Sequence, residues 1–238
     1  MNTTIAYITF RGMLGRRRAL LLFFLPAILI LLALALRLTG NDTQDDGAAI
    51  LWTFGLAVLL PLLSLIAGTG VIGPEIDDGQ IMYVLTKPIS RTSVIVTKYL
   101  CAVVLIVAFA VLPLWLAGAI MLGPDSDLPW AFAVGAFLGG LAYCSIFTAL
   151  AVATRQAVTV GLIYALVWES LLGNFAPGTQ TLSVQQWALT VVDRLTSSST
   201  ITASVGLPLS AVLLVLVTAA GLALATARLR TLTLASAD

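Results

Sequence analysis

The chain has 238 residues, of which 60% are hydrophobic and 10% charged, and its formal net charge is +1. A water-soluble domain carries about 25% charged residues to stay solvated, so this composition excludes a soluble globule and describes an integral membrane protein. At about 20 residues per crossing, the length holds several helices and leaves no room for a sizeable soluble domain.

Residues 1–18 read as a short interfacial helix. Ala6, Tyr7, Phe10, Met13 and Leu14 share a face at helical spacing, although Ile5 and Ile8 fall off it, while Arg11 and Arg16 to Arg18 supply cationic anchors. Arg16 to Arg18 followed by an apolar run also has the order of a secretory signal. That run exceeds the 7–15 residues typical of a signal's hydrophobic region, which favours a retained first span. Six apolar runs are long enough to cross: 19–38, 48–72, 93–122, 130–153, 157–175 and 209–227. They are continuous and rich in Leu and Ala, which points to helices; barrel strands would be about 10 residues long with alternating polarity. The expected fold is an all-α integral membrane protein forming one domain over 1–238.

Six crossings put both termini on one side. On that side fall Arg11, Arg16, Arg17, Arg18, Lys87, Arg91, Lys98, Arg155, Arg228 and Arg230, leaving Arg37 and Arg194 of the 12 cations for the other. The opposite side collects Asp42, Asp45, Asp46, Asp125, Asp127 and Asp193. This bias follows the positive-inside rule and predicts a multi-pass protein of the cytoplasmic membrane with both termini in the cytoplasm.

The charge-rich island between the second and third runs, residues 73–98, then becomes a cytoplasmic loop. Pro74 suits the first turn of a helix, and Glu75, Asp77 and Asp78 complement its positive end. Ile81, Val84 and Leu85 make an i, i+3, i+4 stripe, Lys87 lies near the end and Pro88 stops the helix. Ser90 or Thr92 then caps the third span. An amphipathic helix over 74–88 is expected, the alternative being a solvated loop whose cations simply obey the orientation rule.

Further along, Gly135 and Gly139 form a GxxxG pair in the fourth run, with Ala136, Gly140, Cys144 and Thr148 as a second small-residue row. Small residues let helix backbones approach closely in lipid, and packing within one subunit is the favoured reading over a subunit interface. Pro26, Pro61 and Pro113 each remove a helical hydrogen bond inside a run. Glu169, in Leu166-Val167-Trp168-Glu169-Ser170, is the only acidic residue within an apolar run. Fourteen residues separate it from Arg155, roughly 21 Å of helical rise, which places it in the outer part of the membrane. It either lines a cavity or gate with Trp168, or sits at the interface, paired with Arg194 or capping external backbone amides. Residues 176–208 make the longest external connection. A re-entrant or surface-lying pair of short helices is expected there, with Trp187 at headgroup level.

Gly68-Thr69-Gly70-Val71-Ile72-Gly73 matches G-x-G-x-x-G, but it lies at the end of a membrane span, not between a strand and a helix, so it carries no nucleotide. No G-x-x-x-x-G-K-[ST] sequence occurs. Histidine is absent and the two cysteines, Cys101 and Cys144, are widely separated in apolar runs. That removes the commonest general base and metal ligand and leaves no disulfide or metal pattern.

The order E-x-D-D-G-x-I-x-x-x-L-x-K-P-I-S-R, followed seven residues later by Lys98, resembles the cytoplasmic loop of type-2 ABC exporter permeases. Glu75, Gly79, Leu85, Pro88, Ser90, Arg91 and Lys98 match in place, and Lys87 stands where Arg is more usual. Trp168-Glu169 followed by Leu171 and Leu172 resembles a branch that includes nitrous-oxide-reductase maturation permeases, alongside multidrug and antibiotic efflux permeases. The resemblance implies a non-enzymatic transport subunit that works with a separate ABC ATP-binding subunit, which would hold the ATP and Mg. It also implies a second permease chain, identical or related, in contact with membrane lipid, and no nucleic acid. It makes Glu75, Asp77, Asp78, Ile81, Tyr83, Leu85, Lys87 and Arg91 the ATPase-coupling residues, with Glu75 and Arg91 as candidate ion-pair partners. The competing expectations are a self-contained secondary transporter or channel, and a non-transporting membrane scaffold.

Overall fold

In the computed structural model, residues 7, 9, 12–13, 19–40, 43–77, 90–172, 179–196, 201, 203 and 205–232 are described. Helix α1 is Ala19–Leu38. Helix α2, residues 44–70, joins Gln44–Ile50, a π-helical Leu51–Leu59 and Leu60–Gly70. The short α3 is Gly73–Asp77. Helix α4 is Arg91–Leu122 and α5 is Asp127–Ala153. Helix α6, residues 157–172, joins Ala157–Ile163 to a π-helical Tyr164–Leu172; α7 is Val184–Leu195 and α8 is Leu207–Leu232. Among the described residues there is no strand.

Side-chain caps set several starts. Thr43 Oγ1 accepts from Asp46 N ahead of α2, and Ser126 does the same for Leu128 N ahead of α5. Of the two caps expected for the third span, Ser90 is the one used: its hydroxyl accepts from Ser93 N, so α4 begins at Arg91. At its other end Gly123 leaves α4 with φ +87°, a conformation that favours glycine.

The internal prolines explain two of the wide turns. Pro61 and Pro113 have no N–H, and their rings crowd the carbonyls of Ala57 and Phe109 four residues back. In each case the preceding turn opens to an i→i−5 bond, Leu60 N to Gly55 O and Leu112 N to Val107 O. The helices widen at these points and continue. Pro26 lies inside α1 with no such segment.

Among the described residues, five helices are long and apolar enough to cross a membrane: Leu20–Leu38, Gln44–Ile76, Arg91–Leu122, Asp127–Ala153 and Leu207–Thr231. The fifth apolar run of the sequence is described as a shorter helix. At its foot α6 runs beside α5, where Ala157 clusters with Val152 and Ala149. A Cβ at Gly161 would meet the Phe147 ring, and Tyr164 stands edge-on to that ring. Beyond that level α7 takes over as the neighbour of α5. Ala188 lies against Gly139 and Gly135, and Val192 against Gly135. Two half-length helices, α6 then α7, thus share the length of one full helix.

Helix α5 is the hub, with α2, α4, α6, α7 and α8 packed on it. Its small residues allow this closeness. A Cβ at Gly135 would lie 2.6 Å from Val192 Cγ2 and 3.0 Å from the Ala188 carbonyl oxygen, and one at Gly140 2.7 Å from Ile106 Cγ2. A Cβ at Gly221 of α8 would lie 2.9 Å from the Ser145 backbone carbon. The glycine rows of the fourth run therefore serve contacts inside this chain. The outward faces of α1 and α8, with Leu20, Phe24, Leu31, Val212 and Val215 exposed, are apolar as lipid requires.

The bundle has two chemically distinct ends. One carries Arg91, Arg155 and Arg228 beside a cluster of Ile72, Ile95, Val152, Ala157 and Leu229. The other carries Asp45, Asp46, Asp125 and Asp127, and there Arg37 donates to the Ile120 carbonyl oxygen at the end of α4. Met13, within the segment expected as an interfacial helix, is buried at the basic end, where its methyl group fills the space beside Gly70.

Candidate functional site

Two clusters stand out. The first is at the basic end. After α2 the chain turns at Val71 and Ile72 into α3, whose Pro74 occupies the first turn and whose Ile76 N bonds back to Ile72 O. This places Glu75 over the side of α4. Lys98, two turns into α4, is fully buried; its Nζ donates to Glu75 Oε1 at 2.6 Å and to Val71 O at 2.7 Å. The Glu75 side chain is 20% exposed, and its second oxygen has no partner among the described residues. One buried ammonium thereby ties three things together: the last turn of α2, the short helix that follows it, and the start of α4.

Arg91, the expected partner of Glu75, opens α4 and is half buried; the ion pair that Glu75 makes here is with Lys98. Asp77 closes α3. Asp78, Ile81, Tyr83, Leu85 and Lys87 lie outside the described residues, as does the rest of the 74–88 helix expected from the sequence. Sequence reasoning matched Lys98 by position but gave it no partner. The available signal was a cation seven residues inside an apolar helix, which needs a carboxylate within reach.

The second cluster is where α6 meets α7. Glu169 is fully buried. Its carboxylate accepts four bonds: Oε1 from Tyr164 Oη at 2.9 Å and Val184 N at 3.1 Å, and Oε2 from Ser183 Oγ at 2.5 Å and Gln185 N at 3.3 Å. Ser183 Oγ in turn caps α7 by accepting from Gln186 N. The carboxylate sits at the positive end of the helix, with its charge met by two of the amides that lack an intrahelical acceptor. Of the sequence alternatives for Glu169, amide capping is what the geometry shows. Its setting is the protein interior, since the whole side chain is buried.

Trp168 is half buried, and its Nε1 donates to Leu182 O at 3.4 Å. Trp187, expected at headgroup level, is buried with Nε1 donating to Thr181 O at 2.9 Å. All of Val184 to Val192 is buried. Helix α7 is thus inserted into the bundle and does not lie on its surface. Cys101 and Cys144 are free, buried thiols.

A family model described as ABC-2 family transporter protein matches residues 14–176, which span α1 to α6 and contain both Glu75–Lys98 and Glu169. No curated protein matches the chain. The match extends over well more than half of the 238 residues, and the chain belongs to the ABC-2 transporter family as a multi-pass ABC-2 type permease.

Proposed function

We propose that this permease is the membrane subunit of an ATP-driven exporter and moves its substrate from the cytoplasm or inner leaflet outward. The observation that carries this reading is the Glu75–Lys98–Val71 junction. A loop tied by a buried ion pair to two long helices transmits a push instead of absorbing it. In this reading the basic end faces the cytoplasm, as the positive-inside bias supports. The chain crosses six times, with α6 and α7 together making the fifth crossing.

The segment from Glu75 to Leu85 is the coupling helix, which docks in a groove on a separate ABC ATP-binding subunit that holds ATP and Mg. Asp77, Asp78, Ile81, Tyr83, Lys87 and Arg91 line that contact. Two permease chains, identical or related, enclose the path. Closure of the ATPase pair displaces the coupling helix, and the ion pair passes that displacement to α2 and α4. A nearly all-apolar set of spans suits a lipophilic drug, a lipid or a small peptide.

The test is co-purification followed by flux in sealed vesicles. The expected result is an ABC ATPase bound to this chain and transport that requires ATP hydrolysis. Leu85→Ala and Arg91→Ala should keep the complex assembled and lower transport per ATP hydrolysed, since neither removes the partner of Lys98. ATP-independent flux by the chain alone, or wild-type coupling in both variants, would sink the assignment.

A further inference from the structure

The contact between α6 and α7 is centred on one buried carboxylate. Glu169 gathers two side-chain hydroxyls, from Tyr164 and Ser183, and two backbone amides, from Val184 and Gln185. The three elements concerned are α6, the capping residue of α7 and the first turn of α7. A buried carboxylate is stable in that setting while its donors are present and becomes costly when they leave. The Tyr143 side chain, on α5, is fully buried with its hydroxyl within electrostatic reach of Glu169 and Tyr164. In the first turn of α7, both polar atoms of the buried Gln185 side chain have no hydrogen-bond partner among the described residues.

The closed junction thus gives the carboxylate four donors while the Gln185 side chain, in the first turn of α7, goes unmatched. Release of that turn would give solvent partners to both the carboxylate and the Gln185 amide, so the charge is not stranded when its donors depart. The remainder of α7 is held by contacts that do not involve Glu169: the Gly135–Gly139 seam on α5, and Thr190 Oγ1 donating to Val205 O.

We propose that Glu169 is the latch of the outer gate: it holds α7 shut against α6, and outward opening of the transporter releases the first turn of α7 from its carboxylate and exposes the Gln185 side chain. This rests on the permease reading above and names the positioning residue that closes the path on the side away from the ATPase.

The experiment uses the assembled transporter with its ATPase, carrying Cys101→Ala, Cys144→Ala and a single new thiol, Gln185→Cys, which keeps the backbone amide that Glu169 accepts from. A membrane-impermeant maleimide is added from the outside, with and without ATP. With Glu169 intact, labelling is slow at rest and rises roughly tenfold during turnover, a typical size for coupling between two sites. Glu169→Ala labels at the fast rate without ATP. Ser183→Ala and Tyr164→Phe, which each remove one donor, raise the resting rate partway and keep the proposal testable if Glu169→Ala fails to assemble. Glu169→Gln, which retains an acceptor oxygen, also falls between. A lost latch leaves complex yield and ATP hydrolysis at their intact values, whereas a misfolded chain lowers both. An intact protein whose labelling ignores ATP overturns the permease reading. An intact protein that responds to ATP, beside variants that keep its resting rate, overturns the latch.

Discussion

Removing either member of the Glu75–Lys98 pair should damage the protein more than removing both. Lys98 is fully buried, and its ammonium has two acceptors, Glu75 Oε1 and Val71 O. Glu75→Leu leaves that ammonium with a single neutral carbonyl. Stranding a buried charge costs about 3–5 kcal/mol, and the 20% exposure of the Glu75 side chain admits water and puts the expected value at the lower end, about 3 kcal/mol. Lys98→Met removes the charge but orphans the Val71 carbonyl and leaves Glu75 without its cation, at about 1–3 kcal/mol. In the double variant Glu75→Leu/Lys98→Met, only the Val71 carbonyl is left wanting, and an apolar pair of similar volume commonly replaces a buried ion pair at little net cost. A coupling of about 2–3 kcal/mol in the cycle follows. Thermal melts of the micelle-solubilised protein, followed by tryptophan fluorescence, read the four corners. The double variant should melt above Glu75→Leu while transport per ATP stays low. Additive losses, with the double variant the least stable of the four, would refute the pairing and its role in joining α2 to α4.

The α5–α7 seam gives a second test. At Gly135 a methyl group would press on Val192 Cγ2 at 2.6 Å and on the Ala188 carbonyl oxygen at 3.0 Å, so Gly135→Ala should cost about 1–3 kcal/mol by overpacking. Adding Val192→Ala removes the closer contact and should recover part of that loss in the same melts. At Gly221 the obstructing atom is the Ser145 backbone carbon at 2.9 Å, which no rotamer change can clear. Gly221→Ala should therefore cost about as much in the same melts, with no single-residue rescue.

Helices were legible because hydrocarbon dictates them: backbone groups in lipid must bond within their own segment, so a continuous apolar run has one solution. End chemistry was equally legible, since Ser90, Pro74 and the sidedness of the cations act through neighbours in sequence. The rest depends on partners far along the chain. Lys98 and Glu75 are 23 residues apart, and nothing periodic relates them. Residues 176–208 read equally as re-entrant or as surface-lying short helices, and Gln185, Gln186 and Thr190, polar enough for a surface, are buried. Their polarity serves an interior junction, and an interior junction has no sequence period of its own. The fifth run reads as one span by composition, whereas a carboxylate with four donors ends that run's role beside α5 partway along.

The two proline-linked wide turns lie side by side, since Gly55, inside the wide turn of α2, packs directly on Leu114, the residue after Pro113 in α4. Each wide turn precedes a proline that cannot donate the ordinary i−4 bond. Lys98 joins the same two helices at the basic end, so α2 and α4 meet at two heights, through an ion pair at one and through matched wide turns at the other. In the proposed exporter, force on the coupling loop would enter both helices together and reach the layer of wide turns as one shared displacement.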